Sequence, residues 1–394
     1  AQSGKLIRKA EKLARQFEKS LDLATLISRR NGLLRHTADL RYQMVEEFKR
    51  GHDEEMEVLE QYKLLKEMQW LAVQFYALLQ DDGILQNADS HPNRVAEIIA
   101  RADELAALAP HFFMLQASYL DIRSMHAMHV ANDTHLCLQF DKRLIELLEA
   151  HPQQLQQKPF NLVYALDNYL QHALTVGHWE SYEDLLAVFN EVPSRKALSA
   201  HFDKLNEYIV ARRGKLELGY YICSNQYAAG LAAAHTLEPI FREHEAAMLG
   251  KHRLLYCVNF ALLHTFAGEY ATAIKWLTPV VNCADADLRP DLQGFARMFS
   301  LFLYWLRGDA ELAEYRLGSA KRYLEKQGLE GPIERLIFTF LRQHIQQLTA
   351  PEQTPEFFAA LARSIREAGL EAEGRTLLGY VDILHWADSA NSRG

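Results

Sequence analysis

The stretch LLHTFAGEYATAIKWLTPVV (residues 262–281) decides the fold, because it places two apolar runs of helical spacing around the short segment Ala-Gly-Glu-Tyr. Glycine suits the left-handed backbone conformation that ends an α-helix, so the segment predicts a turn between two helices. A tyrosine stands two positions after the glycine, where its ring can cover the turn. If the pattern repeats at a regular interval, the chain is a series of helix pairs.

The pattern occurs at four further places. They are VGHWESYEDLLAVF (176–189), SNQYAAGLAAAHTL (224–237), RGDAELAEYRLGSA (307–320) and, less closely, ANDTHLCLQFDKRL (131–144). The turn residues are then Asn132, Gly177, Asn225, Gly268 and Gly308, separated by 45, 48, 43 and 40 residues. A period in this range is typical of helical-repeat proteins.

The residues after each turn have the pattern of a second helix that packs on the first. Five positions after the turn, Tyr182 is the exception to a series of small residues that permit close approach: Cys137, Gly230, Ala273 and Ala313. At nine and twelve positions Asp141 is the single polar residue among apolar ones: Leu186, Ala234, Leu277, Leu317, Leu144, Phe189, Leu237, Val280 and Ala320. This spacing predicts a helix that is buried along one face.

At these positions the chain resembles the tetratricopeptide-repeat family, in which Gly-x-Tyr stands at the turn between two helices, followed by a small residue and then apolar ones. GEYATAIKWLTPV (268–280) is the best match, and the resemblance covers residues 160–325 well and 95–394 loosely. The repeats are longer than is usual in the family. The small residue of the first helix is kept as Ala261 but is replaced elsewhere by Leu170, Leu218 and Leu301. The resemblance therefore implies an all-α superhelix of divergent, long repeats.

The same resemblance implies a concave groove that binds a peptide or protein segment. Asn168 and Asn259 both stand nine residues before a turn. The family often holds a peptide backbone with an asparagine on this inner face, because a carboxamide can donate and accept at once. Tyr164 and His172 lie one turn on either side of Asn168 and would flank it. We expect these four residues to contact the ligand, unless the two asparagines only satisfy neighbouring helices.

The N-terminal part, residues 1–85, is richer in charge and lacks the Gly-aromatic turns. Asn31-Gly32 and Arg50-Gly51 indicate turns there, so we expect three helices that form a bundle or an atypical cap. Residues 86–350 would form the helical-repeat domain. Residues 351–394, which follow a proline-containing linker, would form a capping helix pair.

Charge is distributed unevenly. Residues 1–35 contain nine basic and three acidic side chains, a net charge of +6, whereas the rest of the chain carries −14 of the total of −8. Extensive nucleic-acid binding requires many basic groups to neutralise phosphates, so the acidic body disfavours it. The basic start is interpreted as a solvated helix face, with an acidic partner, a membrane surface or the chain's own body as alternatives.

Composition predicts a soluble, cytoplasmic protein. Hydrophobic residues make up 49% of the chain, the mean hydropathy is −0.21, and no apolar run approaches the roughly 20 residues that a membrane span requires. The four cysteines lie far apart without a CxxC pair, which favours neither disulfide bonds nor structural zinc.

No motif predicts catalysis. GxGxxG, GxxxxGK[ST] and GxSxG are absent from the sequence. His126, His129 and His135 are weak candidates for a metal site, because the segment lacks the carboxylate partner of an HExxH motif. We therefore expect neither an enzyme nor a cofactor, with a metal-binding enzyme that uses residues 126–137 as the less favoured alternative.

These observations favour a non-enzymatic scaffold that binds a protein or peptide in the groove of its helical repeats. A second hypothesis concerns the layout of the chain. A basic N-terminal bundle followed by repeats resembles the arrangement of peptide-responsive bacterial regulators. In such proteins, ligand binding in the groove shifts how the bundle docks.

Overall fold

The computed structural model of the chain describes residues 2–34, 41–80, 92–285, 287–345, 354–371 and 382–386. Within these ranges all regular structure is helical and no strand occurs, so the all-α prediction is confirmed. The α-helices are α1 (Gln2–Gln16), α2 (Ser20–Leu34), α3 (Arg41–Gln80), α4 (Pro92–Leu108), α5 (Phe113–His129), α6 (Thr134–Glu149), α7 (Pro152–Leu155), α8 (Phe160–Val176), α9 (Tyr182–Glu191), α10 (Phe202–Cys223), α11 (Tyr227–His244), α12 (Gly250–Phe266), α13 (Tyr270–Val281), α14 (Pro290–Leu306), α15 (Ala310–Gln327), α16 (Pro332–His344) and α17 (Thr354–Glu367).

The chain divides into two compact units, Ala1–Leu205 and Asn206–Gly394. The first contains α1–α9, with one small apolar core among α1, α2 and α3 and another among α3, α4 and α5. The second contains most of α10 and all of α11–α17 around one large core. The expected domain boundaries at residues 85 and 350 fall within 81–91 and 346–353, which lie outside the described residues.

The predicted turn residues all have left-handed backbones. Their φ angles are 51° at Asn132, 69° at Gly177, 59° at Asn225, 80° at Gly268 and 83° at Gly308. At the last four, the amide after the turn residue donates to the carbonyl five residues earlier, at 2.8–2.9 Å, which satisfies a carbonyl at the end of the helix. The recurrence seen in the sequence therefore reflects a common backbone geometry.

Three further turns of this kind, at Glu18, Gly328 and Gly369, were not predicted, and the left-handed residue of the first is neither Gly nor Asn. Glu18 has φ 47°, and the amide of Lys19 donates to the carbonyl of Ala14 at 2.8 Å. The Glu18 carboxylate accepts hydrogen bonds from the amides of Phe113 and Met114, at 2.9 and 3.0 Å. These amides begin α5, so the turn between α1 and α2 caps a helix about a hundred residues away.

The predicted packing columns are also confirmed. The small residues and Tyr182 at the fifth position, and the residues at the ninth and twelfth positions including Asp141, are all buried. Successive helices contact one another, as α5 does α6, α12 does α13 and α14 does α15. This packing is consistent with a helical repeat.

The turns that were expected near residues 31 and 51 are wrong, although residues 2–80 do form three helices. Asn31 lies inside α2 and Gly51 inside α3. A Cβ atom placed on Gly51 would lie 2.0 Å from Oδ1 of Asn31, which is buried. Both residues therefore serve a close contact between two helices, and the absent side chain of Gly51 is what permits it.

Part of the basic start is neutralised within the first unit. Arg30 lies 2.9 Å from a carboxylate oxygen of Glu11 and 2.5 Å from one of Glu54, and Arg15 also pairs with Glu54. For these two arginines, the chain's own body supplies the acidic partner that the sequence analysis left open. None of the described helices combines the length and the apolarity that crossing a membrane would need.

The role of the left-handed turns predicts opposite effects for two glycine substitutions in and next to α15. Gly308→Ala should destabilise the second unit by about 1 kcal/mol, because a Cβ atom disfavours the left-handed backbone. Gly318→Ala should stabilise it by about 0.5–1 kcal/mol, because Gly318 is helical and a Cβ there meets nothing within 4 Å. Urea denaturation measures both, and shifts of the same sign would contradict the assignment.

Candidate functional site

A cavity of about 240 Å³ lies in the first unit, where α3, α5, α6 and α8 converge. Its apolar wall is formed by Met114, Ala117, Leu144, Leu148 and Ala165. Its polar lining comes from seven side chains: Gln69, Ser118, Asp121, Lys158, Asn161, Tyr164 and Asn168. A concave surface with a few convergent polar groups is the usual form of a ligand site.

An acidic and a basic side chain that line this cavity both have shifted pKa values. The pKa of Asp121 is raised, mainly by burial, and its carboxylate accepts a hydrogen bond from the Tyr76 hydroxyl. The pKa of Lys158 is lowered by partial burial and by the positive charges of Lys19 and Lys66. The one acidic group on the wall is thus shifted toward neutrality, and Lys158 is close enough to Lys19 and to Lys66 to be repelled by both.

Two of the predicted ligand-binding residues line the cavity. Asn168 is half-buried, and its carboxamide makes no side-chain hydrogen bond within the described part of the chain. Tyr164 is exposed, and its ring lies 5.6 Å from that of Phe160. The third predicted residue on this helix, His172, does not line the cavity: it is buried and contacts α6.

The fourth predicted residue, Asn259, belongs to the second unit. It is buried, and its Nδ2 donates to the backbone carbonyl of Gly214 in α10 at 2.6 Å. The neighbouring Tyr256 also bonds to α10, through its hydroxyl and the carbonyl of Val210. Asn259 therefore holds two helices together, which is the alternative that the sequence analysis left open for it.

Next to the cavity wall, His172 of α8 forms a buried cluster with Cys137 and Asp141 of α6. Nδ1 of His172 lies 2.7 Å from Oδ2 of Asp141 and 3.2 Å from Sγ of Cys137. The second carboxylate oxygen of Asp141 accepts a hydrogen bond from the hydroxyl of Ser124 in α5. Cys137 and Asp141 are separated by one helical turn, so both reach the same atom of His172.

The electrostatics of this cluster are those of a buried ion pair. Burial by itself lowers the pKa of His172, but the hydrogen bonds and charges of Asp141 and Cys137 outweigh it and raise the pKa to about 9. The ring of His129 lies edge-on to that of His172 at 6.2 Å, and the pKa of His129 is lowered by burial and by His172. In metal-free protein at neutral pH, His172 is therefore an imidazolium that is paired with Asp141.

The three histidines predicted as weak metal candidates do not form one site. His135 is exposed and bonds to Gln139, and the ring of His126 lies 6.3 Å from that of Phe75. Among the described residues, the one group with three possible ligand atoms close together is formed by Cys137, Asp141 and His172. His129 is not part of this group and only contacts the ring of His172.

The sequence contained a signal for this cluster that was not used. Asp141 is the single polar residue in two otherwise apolar columns, and a buried carboxylate requires a partner. Cys137 stands in the neighbouring small-residue column. The partner, His172, lies 31 residues away on another helix, and only the packing of α6 on α8 identifies it.

Comparison of the chain with protein-family models, with curated proteins and with solved structures found no match.

The ion pair predicts a pH-dependent contribution to stability. The titratable groups around His172 are Asp121 and His129 of α5 and Cys137 and Asp141 of α6. Because folding raises the pKa of His172 from the ordinary value of about 6.5, the stabilisation is complete below about pH 6.5 and is lost as the pH rises through about 9.

With a chelator present, the unfolding free energy of the wild type should exceed that of His172→Gln at about pH 6. This difference should be smaller by about 3 kcal/mol at about pH 10. Urea denaturation across this range measures it. His135→Gln, which alters an exposed histidine, is the matched control and should show no such change. A difference for His172→Gln that is constant with pH would contradict the ion pair.

Proposed function

We propose that the chain is a non-enzymatic binding module, built from tetratricopeptide-like helical repeats, that holds a peptide segment of a partner protein at the cavity of the first unit. The observation that carries the proposal is the Asn168 carboxamide. It lies half-buried on the cavity wall without a side-chain hydrogen bond in the described part of the chain. A carboxamide in this position can donate to a peptide carbonyl and accept from a peptide amide at the same time.

The size of the cavity supports a segment of a larger ligand. At about 240 Å³, the cavity is smaller than the roughly 300–1,000 Å³ typical of sites that enclose a whole small molecule. It has room for ligand side chains whose backbone runs along the outside, where the half-buried Asn168 can pair with that backbone and the ring of the exposed Tyr164 can pack against it. Tyrosine suits such a contact, because a rigid ring with a polar tip loses little entropy on binding.

The charges support an acidic residue in the bound segment. Lys158 lines the cavity, and the repulsion by Lys19 and Lys66 would be relieved by a carboxylate placed near them. Asp121 opposes this less than an ordinary aspartate would, since its raised pKa favours the neutral form. The proposed ligand is therefore an extended peptide with at least one acidic side chain.

Selection from a displayed random-peptide library tests the proposal. The selected peptides should be enriched in Asp and Glu. In fluorescence-polarisation titrations their affinity should fall about tenfold or more with Asn168→Ala, which corresponds to about 1.4 kcal/mol. Asn282→Ala removes an exposed carboxamide outside the cavity and is the matched control. Failure to enrich any peptide, or equal affinity for folded Asn168→Ala and wild type, would overturn the proposal.

A specific contact favours a second, regulatory function, in which ligand binding alters the N-terminal helices. The Glu18 carboxylate in the turn between α1 and α2 caps α5, and one of the capped residues, Met114, also lines the cavity. Lys19, the residue after Glu18, is close enough to Lys158 to affect its pKa. A peptide that moves α5 or neutralises Lys158 would therefore change the interactions that hold the N-terminal helices.

Hydrogen exchange measured with and without a selected peptide tests this coupling. Peptide binding should change amide exchange in residues 2–34, and Glu18→Gln should weaken the change, because a neutral amide is a poorer cap for the start of α5. Glu57→Gln, on an exposed position of α3, is the control. Unaltered exchange in residues 2–34 on peptide binding would exclude the regulatory function and leave the binding module intact.

A further inference from the structure

The cluster of Cys137, Asp141 and His172 brings three kinds of ligand atom together. Sγ of Cys137, Oδ2 of Asp141 and Nδ1 of His172 form a triangle with sides of 3.2, 2.7 and 3.8 Å. All three side chains are buried. Thiolate, imidazole and carboxylate are the three ligand types that Zn²⁺ takes in proteins, and a mixed set of this kind suits an ion of intermediate softness.

The dimensions of the triangle are close to those that a tetrahedral zinc ion requires. With a Zn–S distance of about 2.3 Å and Zn–N and Zn–O distances of about 2.0–2.2 Å, adjacent ligand atoms lie about 3.3–3.6 Å apart. The contacts of Sγ with Nδ1 and with Oδ2 differ from this by a few tenths of an ångström. The contact between Nδ1 and Oδ2 is shorter, as expected where a proton rather than an ion joins the two atoms.

The geometry does not suit nucleophilic catalysis. In a catalytic triad the nucleophile and the carboxylate address opposite nitrogens of the histidine, so that the ring passes a proton between them. Here Cys137 and Asp141 both approach Nδ1, and Cys137 has no exposed surface. Three groups that converge on one point form the arrangement of a ligand set.

The surroundings complete the site. The hydroxyl of Ser124 donates to the second oxygen of Asp141, which fixes the carboxylate as outer-shell hydrogen bonds do around protein metal ions. The ring of His129 lies 6.2 Å from that of His172 and is not one of the three converging ligands, so water would take the fourth ligand position. The three ligands come from α6 and α8, so a bound ion would join these two helices, and the hydrogen bond of Ser124 links the site to α5.

We infer that Cys137, Asp141 and His172 bind one Zn²⁺ ion, with Ser124 as a positioning residue for the carboxylate. Binding transfers to solvent the protons that Sγ and Nδ1 carry in the metal-free protein and forms Zn–S, Zn–N and Zn–O bonds in their place. No redox step is involved. The inference is independent of the peptide-binding proposal, since neither site needs the other to be occupied.

Titration of the full, chelator-treated chain with Co²⁺ tests the inference, because a Co²⁺–thiolate bond gives a charge-transfer absorption that Zn²⁺ lacks. One equivalent of Co²⁺ should produce this band together with strong tetrahedral d–d bands, and Zn²⁺ should abolish both. Cys137→Ser should lose the charge-transfer band, whereas Cys223→Ser, at an exposed cysteine, should retain it.

Ser124→Ala keeps all three ligands, so it separates an effect on metal binding from loss of the fold. It should weaken Zn²⁺ binding by about 10–100-fold in competition with a chromophoric chelator, while circular dichroism remains that of the wild type. Absence of one-to-one Co²⁺ or Zn²⁺ binding at micromolar concentration would overturn the inference. So would a charge-transfer band that persists in Cys137→Ser and disappears in Cys223→Ser.

Discussion

The structure depends on one recurring backbone constraint, the left-handed residue at which several of its helices end before the next helix begins. At Gly177, Asn225, Gly268 and Gly308 this geometry directs the following amide back to a carbonyl of the last helical turn. The carbonyls at a helix end otherwise lack partners, so the turn both ends the helix and sets the direction of the next. A turn fixed in this way also fixes which face of the following helix is buried.

The burial pattern has a chemical consequence at α6. Its register places Cys137 and Asp141 inside the protein, where other copies of the pattern have glycine, alanine or an apolar residue. A carboxylate in that position is costly unless it is paired, and His172 of α8 supplies the charge while Ser124 of α5 supplies a hydrogen bond. The position that departs from the pattern is thus where polar chemistry is concentrated.

Asn168 and Asn259 show how identical register can lead to different roles. Both stand nine residues before a left-handed glycine. Asn259 faces the carbonyl of Gly214, where the missing side chain lets the ring of Tyr256 approach α10, and its carboxamide is used in packing. Asn168 meets a cavity instead. Neighbouring residues that are distant in sequence therefore decide whether a carboxamide forms a hydrogen bond within the fold or can bind a ligand.

The sequence by itself determined the helical class, the five turn residues that it identified and the buried columns, because these follow from local backbone preference and from apolar spacing along one helix. It misjudged residues 31 and 51, where Asn and Gly serve a contact between helices instead of a turn. It did not predict the turn at Glu18, because glutamate has no local preference for the left-handed conformation. Only the tertiary structure joined Cys137 and Asp141 to His172 and gave Asn168 a cavity, since both depend on how α6 packs against α8. That packing is set by interactions between residues about thirty positions apart, which no local pattern records.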